Sequence, residues 1–269
     1  MEDEAALLRQ VFGDSSDDED YNYGEGNRSE AETYLVTDHR TDLAASGNPR
    51  WERVKEISGL WICRDFLSPE QQLSLLSSIR SEGWFAESSL NQAMRFGDFP
   101  PWLNELCYSI REAVLIGDNL SEHDIVAADE HGAGCLFPIL PPELLGREPL
   151  FDQLIVNLYH KGQGICAHVD LMRFDDGIAI ISLESPCVMH FSLATSDIQE
   201  AEEEYHVHPV PSKVPVYLSP GSLVIMSGEA RYGWKHEINR KPGFQVWDGQ
   251  ELEQKRRISL TLRKLARVE

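Results

Sequence analysis

His168-Val-Asp170 sets an imidazole and a carboxylate two residues apart. In extended chain, residues at that spacing point to the same side, so both can converge on one ion. His236 is the candidate third ligand, because it follows the apolar run 222–226 and precedes a further strand segment. Two histidines and one carboxylate on one face of an octahedron leave three positions open, the arrangement of non-haem Fe(II) oxygenases, whose open positions take co-substrate and O2. Alone, the motif is weak, since most His-x-Asp pairs are surface or capping residues.

Arg257 and Arg263 lie six apart in the otherwise apolar run RISLTLR. Even spacing in a strand puts both on one face, with Ser259 and Thr261 between them. Arginines pointing into a core are costly unless they meet anions. The alternative is an outward charged edge, with Ile258, Leu260 and Leu262 as the only buried face. Beside His-x-Asp and a distal His, the inward arrangement suggests a dicarboxylate bound next to a metal, because a guanidinium meets a planar carboxylate bidentately.

These side chains need a rigid frame. From residue 151 onward the hydrophobic period is two, which predicts strands over 153–159, 178–183, 187–191, 214–218, 222–226 and 257–263. Turn residues such as Lys161-Gly162, Asp175-Asp-Gly177 and Ser219-Pro-Gly221 separate them, so a sandwich or barrel follows. Upstream, Ser68-Pro-Glu-Gln71 opens a helix carrying Leu73, Leu76 and Ile79, which Gly83 can end. A second helix is expected over 101–115 with Trp102, Leu106 and Ile110 on one face, then mainly loop over 117–150. Residues 1–50 form an acidic tail for which disorder is the expected state; the charge run 14–20, with two serines, reads as a solubilising arm. Residues 51–269 form the folded domain. The acidic stretch 197–204 is expected to face solvent, and His206-Val-His208 to lie in a solvated loop rather than to bind a second metal.

The chain has 269 residues and a net charge of −21, of which −9 falls in residues 1–32, where eleven acids meet two bases. That balance argues against strong, sequence-blind nucleic-acid binding, which phosphate neutralisation drives. It leaves room for a flipped-out nucleotide or a local basic groove. Five cysteines with no CxxC pair argue against a zinc site or a disulfide framework. A reducing compartment, cytoplasm or nucleus, is expected. No secretory signal and no apolar run long enough for a membrane span are visible. Oligomeric state is not legible.

Asn157-Leu-Tyr159-x-x-Gly162-x-Gly-Ile-x-x-His168-x-Asp170, then His236 and Arg257-x5-Arg263, resembles the AlkB family of Fe(II)/2-oxoglutarate dioxygenases. Asn91-Gln-Ala-Met-Arg-Phe-Gly97 followed by Pro100-Pro-Trp102 is similar to a segment upstream of that family's catalytic core. The likeness covers residues 51–265. It implies a mainly β fold, a double-stranded β-helix (jelly roll) with N-terminal helices packed outside. It also implies roles: Arg257, helped by Tyr159, pairs with the distal carboxylate of 2-oxoglutarate; Asn157 bonds the end that chelates iron; Arg263 lies near that end and Asp170. Ser259 stands where bacterial repair members carry Asn, so one co-substrate contact is altered, and Ser there also fits members that act on transfer RNA. The implied activity consumes 2-oxoglutarate and O2, releases succinate and CO2, and hydroxylates a C–H bond. On an N-methyl group, the hydroxymethyl product loses formaldehyde, so no protein general base is required.

The implied substrate is a modified nucleobase in RNA or DNA. Met172 replaces the acidic residue that repair members aim at a methylated base, which puts that substrate in doubt; simple packing beside the site is its other reading. The segment 228–236 is similar to members associated with transfer RNA wobble modification. Tyr232 and Trp234 within it could stack a base, although strand aromatics are more often core. Two other functions stand beside this one: a protein-directed hydroxylase or demethylase, whose basic protein partner the acidic surface suits, and a non-catalytic interaction module.

Overall fold

The computed structural model describes residues 49–267, apart from 88, 125–137 and 195–212. The tail, the 197–204 stretch, His206 and His208 lie outside the described residues.

Strands β4 (Gln153–Tyr159), β5 (Ile165–His168), β6 (Ile178–Leu183), β7 (Cys187–Leu193), β8 (Val214–Leu218), β9 (Leu223–Met226), β10 (Trp234–Ile238) and β13 (Arg257–Arg263) form the frame. Their antiparallel pairings nest: β4 with β13, β5 with β10, β6 with β9, β7 with β8. The nested pairs divide between two sheets, which is the jelly roll the resemblance implied. The larger sheet runs β1-β2-β9-β6-β13-β4-β3, extended by β1 (Trp51–Arg53), β2 (Leu60–Cys63) and β3 (Gln92–Phe96); the smaller runs β5-β10-β7-β8. A short hairpin, β11 (Val246–Trp247) with β12 (Gln250–Glu251), stands apart.

The central strands of the larger sheet, β9, β6 and β13, are buried on both faces, and their pleat sorts residues one by one. Leu223 and Ile225 of β9, Ala179 and Ile181 of β6, and Ile258, Leu260 and Leu262 of β13 pack toward the helices. Val224, Met226, Ile178 and Ile180 pack into the space between the sheets. The helical layer is α1 (Pro69–Ser81) and α2 (Pro101–Asp124), with one turn, α3 (Pro142–Leu145), nearby in sequence to the β4 entry. Helix α1 begins with the expected capping box: Ser68 Oγ accepts from the Gln71 amide, and Gln71 Oε1 accepts from the Ser68 amide. After it, Gly83 takes a left-handed φ of 68°, which glycine adopts at little cost.

Three expectations are corrected. Helix α2 runs nine residues past 115, and α3 lies in the span read as loop. Leu73 of α1 is exposed, while Gln71, Leu75 and Ile79 form the buried face. Chain 165–168, for which no strand is predicted, is a strand in its own right. No described helix is long and apolar enough to cross a membrane.

Candidate metal centre and co-substrate pocket

His168 ends β5 and His236 sits mid-β10, and the two are direct cross-strand partners. Their ring centroids are 4.3 Å apart. Strand β5 approaches β10 closely because residue 164 has no side chain: a Cβ there would fall inside the contact radius of the Ile238 carbonyl oxygen. Register shifts between His236 and Ile238, and breaks of register such as bulges commonly re-aim side chains at barrel rims. Asp170 follows two residues after His168 and turns its Oδ2 to within 3.8 Å of His236 Nε2. One ligand atom from each of the three residues lies within 4.8 Å of the others.

The chemistry of the donors fits a divalent metal. Asp170 is buried, and burial alone would raise its pKa; the Arg263 guanidinium foremost, then the neighbouring histidines and Arg231, hold it at about 2. Arg263 pairs with Oδ1, whereas Oδ2 is buried with no hydrogen-bond partner among the described residues. Burial, then the adjacent His168, push His236 down to about 3, so it is the neutral, ligating imidazole at physiological pH. His168 Nδ1 donates to the Cys166 carbonyl at 2.8 Å, which fixes the ring and assigns Nε2 as the ligating nitrogen. An ionised carboxylate oxygen lacking a donor among the described residues, beside two imidazoles of which His236 is held neutral, is what a non-haem iron site requires.

Behind the triad, β13 settles the direction of its arginines. Arg257, Ser259, Thr261 and Arg263 are all buried, opposite the leucine and isoleucine row, and so they point into the barrel. Antiparallel register sets Tyr159 beside Arg257, Asn157 beside Ser259, and Gln153 beside Arg263. Arg257 is 1% exposed; its Nη2 donates to Ser182 Oγ at 3.0 Å, while Nε and Nη1 have no partner among the described residues. A buried guanidinium with two donors unmet fits the distal carboxylate of 2-oxoglutarate. The Tyr159 ring lies 5.5 Å from its Cζ. Burial raises the Tyr159 phenol pKa, opposed by Arg257 and by hydrogen bonds with Ser259 and Asn157, so the phenol stays protonated and able to donate. Asn157 Oδ1 accepts from Gln92 Nε2 at 2.6 Å, which turns the Asn157 amide nitrogen to other partners. Arg263 Nη1 donates to Gln153 Oε1 at 3.0 Å.

At the rim the expectations divide. Trp234 does not stack a base: it is 2% exposed, within the inter-sheet core, with Nε1 bonded to Glu229 at 3.3 Å. Period two from His236 already places 234, 236 and 238 on one inward face. Tyr232 belongs to a short helix, α4 (Gly228–Tyr232), rather than a strand, and is 40% exposed. Met172 is 66% exposed, so it does not pack beneath the site. Two contributors lie in segments that carry the family likeness but had no role assigned to them: Gln92, which the β3–β4 register sets opposite Asn157, and Arg231, whose partners are backbone carbonyls 60 and 61 residues away.

A jelly roll carrying this donor set with inward arginines defines a class, the 2-oxoglutarate-using non-haem iron oxygenases. The chain belongs to the 2OG-Fe(II) oxygenase superfamily, whose sequence pattern matches residues 59–263. Within it, the chain is of the AlkB type. It is 31% identical over 214 residues to the alkylated DNA repair protein ALKBH8 homolog of Arabidopsis thaliana, covering 78% of this chain and 59% of that one. It is 32% identical over 208 residues to the tRNA (carboxymethyluridine(34)-5-O)-methyltransferase alkbh8 of Xenopus tropicalis, covering 73% and 29% respectively. An uncharacterized protein of Acanthamoeba polyphaga mimivirus is 26% identical over 215 residues, with 80% and 88% covered. The chain thus spans less than two thirds of the Arabidopsis and Xenopus proteins.

Proposed function

We propose that residues 51–269 are an Fe(II)- and 2-oxoglutarate-dependent dioxygenase domain that oxidises a modified nucleobase in RNA or DNA, by hydroxylation or oxidative demethylation. One observation carries the reading: a buried carboxylate oxygen with no donor among the described residues, set beside two histidines, shares a barrel with a buried guanidinium that has two unmet donors. His168, Asp170 and His236 would hold the metal, and Arg257, Tyr159, Ser259, Asn157 and Arg263 the 2-oxoglutarate. Bound together, iron and 2-oxoglutarate supply an O2-derived oxidant for a C–H bond, with succinate and CO2 released.

The protein's own part is positioning. Arg263 holds one oxygen of Asp170 and leaves the other for the metal. Cys166 orients His168. Arg257 and the protonated Tyr159 anchor the far end of the co-substrate. The nucleobase assignment is supported by the names of the Arabidopsis and Xenopus relatives, which concern alkylated DNA and transfer RNA, and by Tyr232, an exposed ring beside the ligand-bearing strand. A net charge of −21 favours discrimination by one extruded base over a broad basic surface.

Succinate formation from 2-oxoglutarate, measured with Fe(II) for wild type, His168→Ala and Asp170→Ala, tests the chemistry. Wild type should exceed both variants by at least tenfold with a nucleic-acid substrate present; parity among the three sinks the oxygenase reading and favours an interaction module. Mass spectrometry of nucleosides and proteins from cells lacking the chain tests the substrate. A change confined to protein hydroxylation or methylation would establish the protein-directed activity instead.

A further inference from the structure

Arg231 is buried beside the metal centre and has no role in the chemistry above. It is 1% exposed, on α4, five residues ahead of His236. Its fork spans two consecutive carbonyls: Nη1 donates to Asp170 O at 2.9 Å and Nη2 to Leu171 O at 2.6 Å. The other end of α4 is tied to the same segment, since the Gly228 amide donates to Asp176 Oδ1 at 2.8 Å. Arg231 Cζ also lies 4.8 Å from the ring of Tyr232.

Fold stability alone gives a poor account of this arrangement. A buried cation carries a desolvation cost of several kcal/mol, and neutral carbonyls offset less of it than a carboxylate would. Arg231 Nε adds a further unmet donor. The geometry does have a direct consequence for the ligands. Asp170 is held at its carboxylate by Arg263 and at its carbonyl by Arg231, so both ends of the residue are fixed. The second clamp comes from the chain stretch that leads into His236. One guanidinium therefore ties Asp170 to the stretch 231–236, in addition to the β5–β10 pairing that sets His168 opposite His236.

The same group touches the rim. Met172 follows directly on the Leu171 carbonyl that Arg231 holds, and Tyr232 lies against the guanidinium. We propose that Arg231 is a positioning residue that fixes Asp170 relative to His236 and joins the Met172–Tyr232 rim mechanically to the metal centre. This rests on the iron-site reading above. Removing such an outer-shell group is expected to weaken metal binding by about 10- to 100-fold.

The test is Co(II) titration of the metal-free protein, read by its visible absorption, for wild type, Arg231→Met, Arg231→Lys and Asp176→Asn. Thermal unfolding of each metal-free protein is recorded alongside. Arg231→Met should bind Co(II) at least tenfold more weakly with an altered spectrum. Arg231→Lys, which keeps the charge but loses the fork, should fall between it and wild type. Asp176→Asn weakens the charge-assisted tie at the opposite end of α4 and leaves the fork in place, so it should stay within about threefold of wild type. Wild-type affinity and spectrum in the Arg231 variants overturn the proposal, and so does an equal loss in Asp176→Asn, which would mark general loosening. Should Arg231→Met fail to fold, Arg231→Lys carries the test by the same criteria. No Co(II) binding by wild type would instead overturn the iron-site reading itself, a distinguishable result.

Discussion

Arg257 makes the co-substrate reading quantitative, because two substitutions there should act in opposite directions. The side chain is buried, with one neutral hydroxyl partner and two unmet donors. Arg257→Lys keeps a charge but replaces a planar fork by a point donor, and so loses about one charge-assisted hydrogen bond to the co-substrate carboxylate. Such a bond contributes about 1.5–3 kcal/mol. With about 1.4 kcal/mol per tenfold, KM for 2-oxoglutarate should rise roughly 10- to 150-fold, with kcat less affected. Arg257→Met removes the charge. Replacing a buried, poorly paired charge by an apolar side chain of similar volume is often neutral or stabilising, by roughly 1–4 kcal/mol. The metal-free Met variant should therefore melt at or above wild type while losing measurable 2-oxoglutarate binding. Calorimetric titration of Mn(II)-loaded protein with 2-oxoglutarate, plus melting curves of metal-free protein, gives both numbers. A Lys variant within twofold of wild type, or a Met variant that melts well below it, would show that Arg257 serves the fold and would refute the reasoning.

Gly164→Ala should drive β5 off β10 and abolish Co(II) binding, because the clash is with the Ile238 backbone, which no rotamer relieves; Gly162→Ala, where nothing lies near, should lose stability through its φ of 82° yet keep the metal site. His236 is held below its ordinary pKa, so the unfolded chain takes up a proton that the folded metal-free protein refuses. Its contribution to stability is thus lost as pH falls from 6.5 toward about 3, and His236→Gln should flatten that part of the urea-unfolding profile. Trp234→Ala should cost about 3–5 kcal/mol by cavity formation, measured by denaturant unfolding. Tyr232→Ala should leave stability within about 1 kcal/mol and raise KM for the nucleic-acid substrate; the reverse pattern would restore Trp234 as the stacking residue.

Much of this architecture was legible because the inner strands of the larger sheet are buried on both faces. Strands 153–159, 178–183 and 257–263 match the alternation to the residue, since a one-residue slip would move every side chain to the other layer. The same alternation left Arg257 and Arg263 undecided: a strand buried on both sides has two inward faces, and only the position of the helices shows which one lines the barrel. Strand β5 escaped because Ile-Cys-Ala-His, a short and largely exposed edge, carries no alternation. The far half of α2 escaped because charged and glycine residues interrupt its apolar face beyond Ile116. Arg231 escaped for a different reason: its partners are carbonyls, which every residue has, so nothing in its spacing points to them.

Among the described residues, strand β5 is the outermost member of the smaller sheet, paired on one side only, by β10. Its ligand His168 faces His236 across that single seam. An ion held by both histidines is therefore also a rivet through the sheet's open edge, and by mass action its binding free energy adds to the cost of peeling that edge away. Iron supply then governs more than turnover. In an iron-poor cell the unriveted strand exposes unpaired amides and carbonyls, the template that proteases and aggregating chains recognise, so the amount of intact protein should track the metal that makes it useful.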